Sequence, residues 1–174
     1  MEAKEKSKRE SVCELALESF SCGMNCAESV YDALLRAGVL NAPPDSRIFC
    51  LGFGGGVGLC GYTCGALSSA ILALNAKFGR PDPWGTDPET RVGQLYAKSY
   101  ARFNNLVHDF EKENGSALCQ DIAGAFKGDW GGAGRQTVCR KAVASGAGLA
   151  YDYLTMSAED VEKLEWGDNM AGMQ

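Results

Sequence analysis

Apolar residues recur at helical spacing along most of the chain and almost nowhere alternate as they would in a strand. Val12, Cys13, Ala16, Leu17 and Phe20 share one face, which predicts an amphipathic helix over 9–20 that Gly23 breaks. Asn25 stands where a cap is wanted for a second helix, running through Ala27, Val30, Leu34 and Leu35 to Gly38, a residue type favoured just past a helix end. Beyond the Pro43-Pro44 turn, Asp45 is placed to cap a short helix over Ile48, Phe49 and Leu51. The pattern then stops: residues 52–61 hold six glycines in ten positions, a loop whose backbone can pack closely against something.

A third helix is predicted from near Cys64 through Ala66, Ile71, Leu72 and Leu74 to Gly79, followed by an irregular crossover over 79–88 that carries three prolines and Trp84. Asp87 and Pro88 suit the N-cap and N1 positions of a long helix with Leu95, Phe103, Leu106 and Val107 on its inner side and Gly115 at its end. Ser116 opens a short helix holding Cys119, a glycine-rich loop covers 124–134, and a helix over 136–154 holds Cys139. Ser157 with Asp160 forms a capping box for a last short helix. The expected fold is all-α, a compact bundle of about five to seven helices with glycine-rich loops around a cysteine site. One domain spans 1–174, with its core over about 17–150 and a helical appendage over about 151–174.

A chain of 174 residues can bury a core without disulfide staples. Met1 to Glu10 is polar and charged, and Glu14 and Glu18 interrupt the apolar residues that follow, so no signal peptide is expected. No membrane-length apolar run occurs either. The expectation is a cytoplasmic protein, where disulfides are rare and reduced thiols bind metals or do redox chemistry. A net charge of −5 with no basic cluster argues against a nucleic-acid surface.

The eight cysteines change the picture most. Cys22 with Cys26 and Cys60 with Cys64 are both spaced C-x3-C, while Cys119 and Cys139 stand alone. No C-x-x-C occurs, which removes the usual thioredoxin-type dithiol and zinc ribbon. His108 is the only histidine, so sites that need two imidazoles are excluded, and its place beside Asp109 assigns it a solvated or capping role. Three readings remain: thiolate-only ligation of an iron-sulfur cluster, zinc or Cu(I); a redox dithiol; or buried thiols acting as small apolar residues. Cys13, Cys22 and Cys50 fall in apolar patterns that suit packing. Cys26 begins a helix just after a glycine, where N–H groups are free, and Cys119 and Cys139 lie near the ends of helices flanking glycine-rich loops. Trp84 and Trp130, each beside a glycine, are expected to shield loops.

Residues 56–61 satisfy G-x-G-x-x-G, with Asp82 about where a ribose-binding acid would lie. A dinucleotide fold needs parallel strands on both sides, and the following helix runs instead into proline-rich turns. The loop makes better sense as a cradle whose N–H groups approach sulfur, beside a helix start at Cys64 that adds a positive dipole end.

Asn25-Cys26-Ala27, then Gly54-Gly55-Gly56 leading to Cys64-Gly65-Ala66, then Cys119 and Cys139, resemble the redox-active family named for its C_GCAxxG_C_C cysteine pattern, over roughly residues 17–150. The cluster-bearing part of split-Soret cytochromes is similar, helical with an all-cysteine [2Fe-2S] centre; the haem-binding sequence of those proteins is absent here. The resemblance implies Cys26, Cys64, Cys119 and Cys139 as ligands of an iron-sulfur cluster, [2Fe-2S] being favoured. Ser69 stands where the family places a glycine. Cys22 and Cys60, each four residues before a shared cysteine, are alternate ligands, a resolving dithiol, or without chemical role.

The expected function is that of an electron carrier or redox subunit rather than a catalyst, working with a redox partner protein and with neither nucleic acid nor membrane. Assembly as a homodimer is open. Two alternatives stand beside it. One is a cluster-free thiol-disulfide protein cycling Cys22 with Cys26 or Cys60 with Cys64; the other is a helical interaction module held together by zinc.

Overall fold

In the computed structural model, which describes residues 7–174, eight α-helices follow one another without a strand among the described residues. The first six residues of the polar N-terminal run lie outside the described residues. The helices are α1 Lys8–Ser21, α2 Cys26–Arg36, α3 Gly65–Phe78, α4 Pro88–Gly93, α5 Lys98–Asn114, α6 Cys119–Ala123, α7 Ala133–Thr155 and α8 Ala158–Glu162. None of them is long and apolar enough to cross a membrane.

The central element is α7, which packs against α1, α2, α3 and α5. Its middle is built of small residues, Ala142, Ser145, Gly146, Ala147 and Ala150, so neighbouring backbones come close. At Gly146 a β-carbon would lie 2.9 Å from the Ala66 carbonyl oxygen and 3.1 Å from Ala66 Cβ. That contact seats the start of α3 directly on α7. Tyr31, Leu34, Leu67, Leu74, Leu106, Phe110 and Leu154 fill the space between the helices.

The caps follow the expected chemistry at several ends. Asn25 accepts the N–H groups of Ala27 and Glu28 and forms a capping box with Glu28, and Gly38 takes the left-handed conformation just beyond α2. Asp32, buried on α2, accepts from the Ser19 hydroxyl and from Arg47 Nε, each at 2.7 Å. One satisfied carboxylate thus ties α1, α2 and the following 3-10 turn Pro44–Phe49 together.

Four local expectations differ from the structure. The long helix expected over 87–115 is two helices: Asp87 caps and Pro88 occupies the first turn, but the chain leaves α4 after Gly93, turns through Gln94–Tyr96 and restarts at Lys98. Gly93 is a poor helix former, and Val92, Leu95 and Tyr96 are exposed, so no packing holds one continuous helix, and Leu95 is not an inner residue. Asp45 does not cap; the turn begins at Pro44, with Asp45 already inside it. Ser116 precedes α6 by three residues, accepting the Leu118 N–H and donating to Asp121. Trp84 is 84% exposed and shields no loop, its ring lying beside the Arg91 guanidinium.

Ser157 accepts from the Asp160 N–H and donates to the Asp160 carboxylate at the start of α8. Beyond α8 the chain returns along α5, where His108 Nε2 lies 2.8 Å from the Asp168 carbonyl oxygen and Asn105 donates to that of Glu165.

Candidate cysteine site

The glycine-rich loop is wound against its own handedness. Gly55, Gly56, Val57, Gly58 and Leu59 all have φ between 60° and 73°. Four of the six loop glycines are needed for this path or its exit, since Gly61 also has positive φ. The N–H groups of residues 57–62 bond to carbonyls at Phe53, Gly52, Gly54, Val57, Gly55 and Gly56. The loop therefore spends these donors on holding its own shape, and the expected cradle of loop N–H groups on sulfur is not what 57–62 form.

The exit of the loop is stitched to α6. The Cys119 N–H donates to Tyr62 O at 2.7 Å, Gln120 N–H to Gly61 O at 2.9 Å, and Cys64 N–H to Ala117 O at 2.8 Å, with an isolated antiparallel bridge between Thr63 and Leu118. This short two-chain clasp brings Cys64, the N-cap residue of α3, beside Cys119, the first residue of α6. A β-carbon at Gly56 would stand 2.6 Å from Cys119 Cβ, which explains a glycine there. From the other side come Cys26 at the first position of α2 and Cys139 in the second turn of α7.

Cys26, Cys64, Cys119 and Cys139 all line one cavity of about 500 Å³, with Phe20, Met24, Leu59, Ile122 and Trp130 on its walls. Each of the four thiols arrives at this cavity from a different segment. Cys26 Sγ lies against the α-carbon of Gly65, where a β-carbon would come within 2.5 Å of it and within 2.7 Å of the Phe53 carbonyl oxygen. In Cys64-Gly65-Ala66, then, the first residue caps α3 beside the cavity, the second makes room for the opposite thiol, and the third packs on Gly146.

Each C-x3-C pair is divided. Cys22, the exposed C-cap of α1, and Cys60, exposed with its Sγ 3.8 Å from the Gly58 carbonyl oxygen, do not line the cavity. In both pairs a left-handed glycine, Gly23 or Gly61, turns the chain between the two thiols, so four residues do not make one helical face. Cys50 is fully buried in the core, its Sγ 3.9 Å from the Ser69 hydroxyl, and Cys13 is half-buried with its Sγ 3.4 Å from the Ala144 carbonyl oxygen. Ser69, in place of the family's glycine, is itself fully buried on α3 and packs without opening the helix.

Burial dominates the thiol chemistry. It pushes Cys64 up to about 12, with the neighbouring Cys26 and Cys119 adding to the rise, while the backbone N–H groups of Ala66 and Leu67 at the start of α3 oppose it. The N–H groups that favour negative charge at this sulfur therefore belong to the start of α3 and not to residues 57–62 of the glycine loop. Cys119 is pushed up to about 11 by burial, then by Cys26 and Cys139. Cys139 is raised by burial and held back by the positive charge of Arg135.

Arg135 is the site residue that pattern reading passed over. It lines the cavity, lies 5.0 Å from the Trp130 ring, and stands one helical turn before Cys139, a spacing that places both on one face of α7. Trp130 lines the cavity as well, beside Arg135. Among the described residues, no three Cys, His, Asp or Glu side chains are grouped as they would be around one metal ion. The four thiols are spread around a wall rather than drawn to one point.

The family model described as "Putative redox-active protein (C_GCAxxG_C_C)" matches residues 24–153, a span that contains all four cavity cysteines. An uncharacterized protein of Archaeoglobus fulgidus is 33% identical over 122 residues, covering 70% of this chain and 77% of that one. No solved structure matches the chain.

Proposed function

The chain belongs to the C_GCAxxG_C_C family, and on that premise we propose that it is an iron-sulfur protein that passes single electrons, with Cys26, Cys64, Cys119 and Cys139 as the thiolate ligands. The observation that carries this reading is the sorting of the cysteines: four thiols from four segments face one cavity while Cys22 and Cys60 face outward. Four thiolates without an imidazole or carboxylate suit iron-sulfur chemistry, and thiols dispersed around a wall of this size suit a cluster with bridging sulfides better than one tetrahedral zinc. When bound, such a cluster supplies one-electron oxidation and reduction.

The chain's own residues prepare the site for that charge. Ala66 and Leu67 N–H groups hold negative charge at Cys64, and the Arg135 guanidinium does so at Cys139. Phe20, Ile122 and Trp130 give the wall beside the sulfurs an apolar face. With Cys64, Cys119 and Cys139 raised, these three thiols hold their protons at neutral pH in the metal-free site, and ligation releases them. Leu51 and Leu59 line the cavity and are also 69% and 70% exposed, with Ile48, Phe49 and Tyr62 exposed on the same stretch of chain. An apolar rim at the mouth suits a redox partner protein that closes over the site while electrons pass.

Iron and acid-labile sulfide, measured with the visible spectrum after anaerobic purification, test the reading. The wild type and a Cys22→Ala/Cys60→Ala double variant should both be coloured with equal iron, and alanine at Cys26, Cys64, Cys119 or Cys139 should abolish it. A colourless protein with stoichiometric zinc would favour the zinc-held module. A colourless, metal-free protein with titratable disulfides would favour thiol exchange.

A further inference from the structure

A second cavity, of about 910 Å³, opens where the end of α3 meets α5 and the 79–95 crossover. It does not belong to the cysteine site, because α3 separates it from Cys64 by about 20 Å of helix at about 1.5 Å per residue. Arg102 of α5 lines it and is only 6% exposed. Its Nε and Nη1 are buried with no hydrogen-bond partner among the described residues. Arg9, Arg36 and Arg47 each meet a carboxylate, but among the described residues Arg102 meets none. Its evident neighbour is the Phe78 ring, 3.6 Å from Cζ. A ring face attracts a guanidinium, yet by less than it costs to take an unpaired ion out of water.

The wall around this cation has the composition of an anion pocket. Arg80 also lines it, held by donating to the Arg91 carbonyl and the Gln94 side chain, and no acidic residue does. Tyr100 and Phe103 supply flat apolar surface, and Asn75 and Ser99 supply neutral hydrogen-bonding groups. The C-terminal end of α3 contributes a weak opposing dipole, which two full charges outweigh.

We propose that this cavity binds a small organic anion, an aromatic carboxylate, whose carboxylate pairs with Arg102 and Arg80 and whose ring lies against Tyr100 and Phe103. A guanidinium fork matches a carboxylate in two parallel hydrogen bonds, and a bound anion would relieve the unpaired burial of Arg102. The proposal does not rest on a cluster at the cysteines.

Calorimetric titration of the full chain with benzoate, acetate and inorganic phosphate at low salt tests it. Benzoate should bind saturably at one site, at least about tenfold more tightly than acetate, because only benzoate covers the aromatic wall. Arg102→Met should weaken benzoate about tenfold or more. Arg80→Gln, an exposed position where folding is not at risk, should weaken it in the same direction. No saturable binding of benzoate, or binding unchanged in Arg80→Gln and Arg102→Met, would overturn the proposal and leave Arg102 as a stacking partner of Phe78. Phosphate binding more tightly than benzoate would overturn the carboxylate assignment.

Discussion

Alanine at Gly65 probes the cysteine site at its tightest point. The new β-carbon would stand 2.5 Å from Cys26 Sγ and 2.7 Å from the Phe53 carbonyl oxygen, where ordinary contact needs about 3.5 Å or more. A shift of about 1 Å is therefore demanded on that side. α3 cannot retreat, because the next residue, Ala66, already touches Gly146 of α7. The movement falls on Cys26 and on the Phe53 segment. Overpacking of this kind costs about 1–3 kcal/mol, while alanine returns at most about 1 kcal/mol of helix preference over glycine. The net is a loss of about 1–2 kcal/mol, which at a urea slope of about 2 kcal/mol/M lowers the midpoint by about 0.5–1 M. Urea unfolding of the reduced, metal-free protein followed by circular dichroism reads this directly. Gly93→Ala is the control, since nothing lies within 4 Å of its β-carbon, and its midpoint should stay or rise. Iron content of Gly65→Ala should fall as Cys26 is displaced. A Gly65→Ala protein as stable as wild type, with full iron and sulfide, would refute the reasoning.

Two further outcomes are expected. Because burial raises the folded-state thiol of Cys64 to about 12, its contribution to stability is complete below about pH 9 and is lost as pH rises toward 12. In metal-free protein the stability advantage of wild type over Cys64→Ala should accordingly shrink above pH 9, by up to about 1.4 kcal/mol per pH unit; a gap that stays constant from pH 8 to 11 would contradict the raised thiol. Alanine at Cys50 should cost about 1 kcal/mol in chemical unfolding and alanine at Cys13 less, both with unchanged iron content, and loss of colour in either would move that thiol into the site.

Most helix ends were readable because their signals are local. Asn25, Asp87, Gly79 and Gly115 act at the positions their chemistry suggests. The break at Gly93–Ala97 was not, because Val92, Leu95 and Tyr96 keep helical spacing in the sequence and only the packed structure leaves them exposed. For the cysteines, spacing left each C-x3-C pair ambiguous, and the resemblance selected Cys26 and Cys64, the members that line the cavity. Arg135 was within reach, since it precedes Cys139 by one helical turn, but a lone arginine on a long helix carries no mark of its partner. The glycine count announced a close-packed loop without revealing where its N–H groups would go. Val57 and Leu59 were the least legible, because residues of their type ordinarily avoid positive φ.

Those two residues also bear on any attempt to toughen the protein. Each holds an L side chain in the left-handed region at about 1–2 kcal/mol, and each is exposed, so the core gains nothing from either. Asparagine sits there with less strain, and Val57→Asn with Leu59→Asn is the substitution that a search for heat resistance would find early. The same change would strip one oily side chain, Leu59, from the mouth of the thiol cavity and another, Val57, from the exposed turn beside it. Hardiness and oiliness are traded at a single turn, and a version of this protein selected in the test tube for endurance alone would drift toward a molecule that survives well with a more polar surface beside its thiols.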